Sequence, residues 1–190
     1  MMKITENALT RRKLLGAFAS ISMISAAPVY AKAPGFLKGA GNIRRVSLRS
    51  GRTGESIDTI YWIEGKYIRP ALDEVNYFMR DWREDSVKKI DRHQIDIIAA
   101  THHMLDTNEP FQMLSGYRSA RTNAMLRRRS RRVAKDSYHI KGMATDLRLS
   151  SRSVSQMARA AVACRGGGVG RYSRNNFVHM DCGPLRTWGR

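Results

Sequence analysis

The sequence predicts an α+β fold: one compact domain with a small antiparallel sheet packed against helices. Three observations carry that expectation. Short runs of alternating polar and apolar residues recur between glycine-containing connections, as half-buried strands require. Longer stretches place apolar residues at helical spacing. No repeat, coiled coil or low-complexity segment interrupts the pattern, and 190 residues suffice for one domain with a real core.

Each element has its own justification. Residues 32–42, rich in Ala, Gly and Lys with one Pro, read as a linker, which leaves 43–190 as the folded domain. Val46–Arg49 and Asp58–Trp62 alternate on either side of Gly51-Arg52-Thr53-Gly54 and predict a hairpin, which Gly65–Ile68 extends. Pro70 opens a helix with Leu72, Val75, Phe78, Met79 and Trp82 on one face. A second helix follows Asp91 and turns Ile95, Ile98, Met104 and Leu105 toward the core. His102 and His103 are neighbours on it and point about 100° apart, so they cannot serve one site; they read as surface or packing residues. Phe111–Leu114 is a short strand ending in the turn Ser115–Ser119, and Ala120–Arg129 is a helix with a basic outer face. Thr145–Leu149 alternates as a strand. Ser153–Cys164 is an Ala-rich helix stopped by Arg165-Gly166-Gly167-Gly168. Val169–Tyr172 and Asn176–Cys182 supply the last strands.

The first 31 residues are set apart from the fold. Arg11-Arg12 precedes a mildly apolar run from Leu14 to Ala27, and Val29-Tyr30-Ala31 offers small residues for a cut after Ala31. A cut after Ala33 would leave Pro34 next. This leader resembles a twin-arginine export signal, and its apolar run is shorter than the roughly 20 residues of a membrane span. A periplasmic protein with no stable span after leader removal is therefore expected. The net charge of +18 falls to +15 once Lys3, Arg11, Arg12, Lys13 and Glu6 are removed. Arg127-Arg128-Arg129 and Arg131-Arg132 lack interleaved aromatics and read as a solvated face, not as a nucleic-acid surface. Outside the cytoplasm, the carboxylates of the cell wall and the anionic membrane surface are the obvious polyanions. Cys164 and Cys182 have no CxxC spacing; a disulfide and two free thiols both remain compatible with the sequence.

Candidate chemistry lies in Ser137–Asp146 and Phe177–Asp181. On an alternating strand Ala144, Asp146 and Arg148 share one face, opposite Thr145, Leu147 and Leu149. Phe177, His179 and Asp181 share a face on the later strand. With the leucines in the core, Asp146 faces a cleft, and Ala144 beside it leaves room for a substrate. His139 precedes the first strand, and Gly142 permits the turn toward Asp146. Two imidazoles and one carboxylate are a sufficient ligand set for Zn2+ with an open fourth position, the arrangement that supports hydrolysis.

The segment Ser-x-His-x-x-Gly-x-Ala-x-Asp, Ser137 to Asp146, resembles the signature of the M15 zinc peptidases. The chain is more similar still to the murein endopeptidase K subgroup. That resemblance runs through Ser115-Gly116-Tyr117-Arg118-Ser119, Ser137-Tyr138-His139, Gly167-Gly168-Val169-Gly170, Asn176-Phe177-Val178-His179 and Gly183-Pro184-Leu185-Arg186-Thr187-Trp188. It covers roughly Ile43 to the C-terminus. It implies that His139, Asp146 and His179 are zinc ligands, with Arg118 at the substrate or the developing oxyanion and Ser137 and Tyr138 as substrate contacts. The carboxypeptidase branch has a Glu three residues before its last His; here that position is Asn176, and an amide is no base. Asp181 is the candidate base, with the alternative that it orients an imidazole.

The implied activity is zinc-dependent hydrolysis of peptide cross-links in peptidoglycan. Two rivals stand beside it. One is a D,D-carboxypeptidase or dipeptidase trimming stem peptides. The other is a catalytically silent peptidoglycan-binding protein, for which Asn176 is the main support.

Overall fold

A computed structural model describes residues 41–189. The expected leader and nearly all of the linker lie outside the described residues. Alternation in β1 (Ile43–Ser50) buries Arg44, Val46, Leu48 and Ser50 and exposes or half-exposes the residues between them. It forms the expected hairpin with β2 (Ser56–Ile63), in a register that sets Leu48 against Ile57 and Val46 against Thr59. β3 (Lys66–Tyr67) extends it.

Helix α1 (Arg69–Phe78) has Pro70 in its first turn and buries Ala71, Leu72, Val75 and Phe78. It stops before Trp82, which the helical spacing assigned to the same face and which is 38% exposed. The chain turns at Met79 because the carbonyl of that residue receives the Tyr117 amide at 2.8 Å. Helix α2 (Arg92–Met104) is capped by the Asp91 carboxylate, which accepts from the His93 amide. Ile95, Ile98 and Leu105 are buried as expected, whereas Met104 at the last turn is 43% exposed. His102 bonds the Glu109 carbonyl at 2.8 Å and sets its ring edge-on to Phe111. α3 (Ala120–Arg129) is capped by Ser119, and α4 (Val154–Ala163) by a reciprocal Ser153/Gln156 box.

The sheet is larger than the sequence suggested. Its order is β3-β2-β1-β4-β5-β7-β6-β8, with β4 (Phe111–Ser115), β5 (Ala144–Arg148), β6 (Gly168–Tyr172), β7 (Phe177–Asp181) and β8 (Arg186–Gly189). Most neighbours are antiparallel. β1 with β4 and β6 with β8 are parallel. Parallel pairing needs a long crossover, and α1 and α2 supply it between the hairpin and β4. The fold class is thus α+β with a mixed sheet.

One face of the sheet carries the core. Leu147, Leu149, Val178 and Met180 are buried there with Ile95, Ile98 and Met157 from α2 and α4. Gln94 of α2 donates to Thr145 Oγ1 at 2.8 Å and to the Met180 carbonyl at 3.1 Å, which fixes helix against strands. The opposite face of β5 and β7 is left to Asp146 and His179. Both cysteines are free thiols; Cys164 is buried against Thr101 and Met104, and Cys182 lies near the Met143 carbonyl. Among the described residues no helix is long and apolar enough to cross a membrane.

Candidate metal centre

β5 and β7 pair antiparallel so that Asp146 stands directly opposite His179, and Ala144 opposite Asp181. This register brings an Asp146 oxygen within 2.9 Å of His179 Nδ1. His139 enters from a short 3₁₀ turn, Tyr138–Lys141. The Ser137 hydroxyl caps that turn by accepting from the His139 amide at 3.3 Å. Gly142 ends it in the left-handed region, φ 71°, where a Cβ would also lie 2.8 Å from the Lys89 carbonyl. The chain can then return to Asp146. His139 Nε2 reaches Asp146 Oδ2 and His179 Nδ1, each at 3.3 Å.

The tautomers follow from the outer partners. His139 Nδ1 lies 2.7 Å from the Gly116 carbonyl, which can only accept, so Nδ1 carries the proton and Nε2 presents a lone pair. Gly116 is obligatory at this contact, because a Cβ there would sit 2.5 Å from the Met79 carbonyl. His179 Nε2 lies 3.0 Å from Asp181 Oδ2 and donates to it, which leaves Nδ1 facing inward. Two lone pairs and a carboxylate therefore converge, with all three ligand atoms within 4.8 Å of one another. Such a point demands a cation, either a proton or a metal. Imidazole and carboxylate donors held by outer hydrogen bonds fit a divalent metal with an open position.

The ionisation of the centre reflects that demand. Burial opposes the charged form of His179, yet its bonds to Asp146 and Asp181 push it up to about 9. Burial also works against the Asp146 anion, but the two imidazoles hold it well below the usual carboxylate range. For His139 burial wins and pushes the imidazole down. Asp181 is buried as well. Hydrogen bonds from His179 and Arg186 outweigh that burial and keep it ionised.

The centre opens into a cleft of about 480 Å³. Arg118, Ser137 and Tyr138 line it with His139, Asp146 and His179, so the residues singled out from the sequence share one cavity or, for Asp181, stand directly behind it. Arg118 Nη2 lies 3.4 Å from Ser137 Oγ, and its buried Nε has no partner among the described residues. Burial pushes this guanidinium down from its ordinary value. The Asn123 side chain donates to the Ala134 and Lys135 carbonyls at 3.0 and 3.4 Å, which ties the 130–136 wall of the cleft to α3.

Sequence reasoning missed part of this environment. Arg186 and Trp188 of β8, and the stacked pair Tyr172 and Phe177, all line the cleft. Trp188 sets its ring 5.3 Å from that of His179 and donates to Tyr172 Oη at 3.0 Å. The sequence marks Gly183–Trp188 only through the family resemblance, and Gly116 only through its turn. Asn176 sits in an exposed left-handed turn, φ 53°, and does not line the cleft.

A single domain with a mixed sheet and, on one face, a His–Asp–His group that could hold a metal ion defines the class of protein. Residues 38–188 match the family described as peptidoglycan L,D-endopeptidase MepK. The chain belongs to that family. It is 44% identical over 145 residues to the peptidoglycan L,D-endopeptidase MepK of Escherichia coli (strain K12), covering 76% of this chain and 80% of the relative. The Shigella flexneri protein of the same name gives the same figures. The probable peptidoglycan L,D-endopeptidase MepK of Haemophilus influenzae is 39% identical over 146 residues, 76% of this chain and 78% of the relative.

Proposed function

We propose that this chain is a zinc metallopeptidase that hydrolyses peptide cross-links of peptidoglycan in the periplasm, after twin-arginine export and removal of residues 1–31. The observation that carries the reading is the convergence of His139 Nε2, His179 Nδ1 and an Asp146 oxygen at the floor of a cleft. The relatives are named as L,D-endopeptidases, which supports an L,D linkage as the bond cut. The family match starts at residue 38, in keeping with a leader and linker ahead of the domain.

His139, Asp146 and His179 are the residues that would hold the ion. When bound there, zinc supplies Lewis acidity toward a carbonyl and lowers the pKa of a coordinated water to roughly 7. The chain's own groups do the rest. The Gly116 carbonyl and Asp181 fix which nitrogen each imidazole offers. Arg118, which lines the cleft and has a buried Nε without a partner among the described residues, is the candidate to bind a substrate carbonyl or the charge that develops on it. Ser137 steadies that guanidinium, and Tyr138 forms cleft wall. Asp181 has both oxygens engaged by donors, so of its two candidate roles we assign orientation of His179. Asn176 is exposed and lies off the cleft wall, so the position that carries the base in the carboxypeptidase branch does not reach this cleft.

The test is digestion of purified sacculi by the zinc-loaded protein, read by muropeptide chromatography. Splitting of L,D-linked dimers, abolished by chelator and by His179→Ala, is the expected result. Release of terminal D-alanine without dimer loss would replace the reading with a carboxypeptidase; no shortened muropeptide at all would end it.

A further inference from the structure

Behind the centre, Asp181 is held by more than the imidazole. Arg186, on the edge strand β8, forks onto both of its oxygens: Nη2 to Oδ2 at 2.7 Å and Nη1 to Oδ1 at 3.1 Å. The Gly183 amide donates to Oδ1 at 2.9 Å and the Gly168 amide at 3.3 Å. Oδ2 is thus shared between Arg186 and His179 Nε2.

The backbone around this pair is built for it. A Cβ at Gly168 would fall 2.6 Å from both Arg186 Nη1 and Asp181 Oδ2. One at Gly183 would fall 2.9 Å from Asp181 Oδ1, and one at Gly167 would fall 1.9 Å from the Asp181 carbonyl. Three glycines therefore clear the volume that the ion pair and its strand occupy. The Arg186 side chain is 39% exposed, and its guanidinium lies 5.1 Å from the Tyr138 ring and 4.9 Å from the Trp188 ring.

We propose that Arg186 is a positioning residue for the metal centre: it locks the Asp181 carboxylate, which in turn holds the His179 ring with Nδ1 aimed at His139 and Asp146. This rests on the reading of His179 as a metal ligand. A planar fork matched to a carboxylate restrains rotation in a way a single donor does not. Without it, Asp181 keeps two backbone amides, both on Oδ1, and the oxygen facing the imidazole loses its clamp.

The sign of the effect separates this role from plain electrostatics. Removing a cation near a cation site should, by Coulomb's law alone, tighten metal binding. Loss of an outer partner that orients a ligand should weaken it, by about 10- to 100-fold.

The experiment measures zinc affinity by competition with a chromophoric chelator in the full chain, and records the visible spectrum of the Co2+ form. Arg186→Gln should weaken zinc binding about 10- to 100-fold and alter the Co2+ bands. Arg186→Lys, which keeps charge but not the fork, should fall between it and the wild type. In an Asp181→Asn background the Arg186→Gln loss should vanish, because the relay is already cut. Unchanged or tighter binding in Arg186→Gln overturns the proposal, as does an equal loss in the Asp181→Asn background. Should Arg186→Gln fail to fold, Arg186→Lys alone decides: wild-type affinity and spectrum overturn the relay. Failure of the wild type itself to bind zinc would instead overturn the reading of the centre.

Discussion

Two carboxylates, the buried Asp96 and the half-buried Asp146, show how similar residues acquire different roles. Asp96 on α2 is fully buried and accepts from Tyr61 Oη at 2.8 Å and Tyr67 Oη at 2.7 Å, with Arg44 Nη1 at 2.7 Å. Donors surround it. Burial and the neighbouring carboxylate raise Tyr61 well above its ordinary value, and Tyr67 likewise. Asp146 on β5 keeps 17% of its side chain accessible and faces two imidazoles whose outward nitrogens are already committed. His139 turns a lone pair toward the centre, and His179 can donate to Asp146 only by taking up a second proton. The first carboxylate closes a structural network; the second leaves one that only a cation completes. What separates the two is donor balance rather than burial.

The comparison can be broken by substitution. Asp96→Ala takes the carboxylate away from the buried Arg44 and should cost about 3–5 kcal/mol of stability in denaturant unfolding. Asp146→Asn should abolish zinc uptake and hydrolysis while moving the metal-free unfolding midpoint far less. Equal destabilisation by the two changes would erase the distinction.

A smaller effect is expected at Arg118. Arg118→Gln should lower kcat/KM on L,D-linked muropeptides by about 10²- to 10³-fold, the scale for loss of one oxyanion donor. Zinc affinity should stay at the wild-type level, since Arg118 bonds Ser137 and no ligand nitrogen. A parallel loss of zinc would move Arg118 into the structural class with Arg44.

The mildest probe is pH. In the metal-free protein His179 is pushed up to about 9, above its ordinary 6.5. A raised imidazole stabilises the fold below about 6.5, and that contribution is lost as pH climbs through about 9. Metal-free stability should therefore decline across this window while zinc affinity rises by at most about tenfold per pH unit, because the ion displaces the His179 proton. Potentiometric proton release on zinc addition at pH 7 checks it; no release would mean that His179 is already neutral.

The legible and illegible parts of the molecule divide along physical lines. The hairpin, the α2 cap at Asp91 and the bounds of α3 and α4 follow from local chemistry: glycine turns, carboxylate and hydroxyl caps, and apolar spacing. His139, Asp146 and His179 stood out because strand parity put the last two opposite apolar neighbours. Pairing partners are non-local, so nothing in β1 announced a parallel neighbour in β4. β8 was missed because Arg186–Gly189 is short, largely exposed and carries no apolar alternation. Trp82 was assigned to a buried face by spacing that ran past the end of α1, whereas Met104 is inside α2 but in its last turn, where the helix face meets solvent. The Gly116 carbonyl and Arg186 act through backbone proximity and an edge strand, which no residue pattern encodes.

The pairing of β5 with β7 has a further consequence. Side chains on a strand alternate, so sliding β7 by a single position would send the His179 imidazole into the oily layer beneath α2 and α4 and lift Val178 or Met180 into the cleft. Evolutionary change in the connection between β6 and β7 is consequently free to alter its length only where the hydrogen-bond ladder keeps its phase. The sheet behaves as a vernier, in which one tooth of misalignment costs the entire instrument.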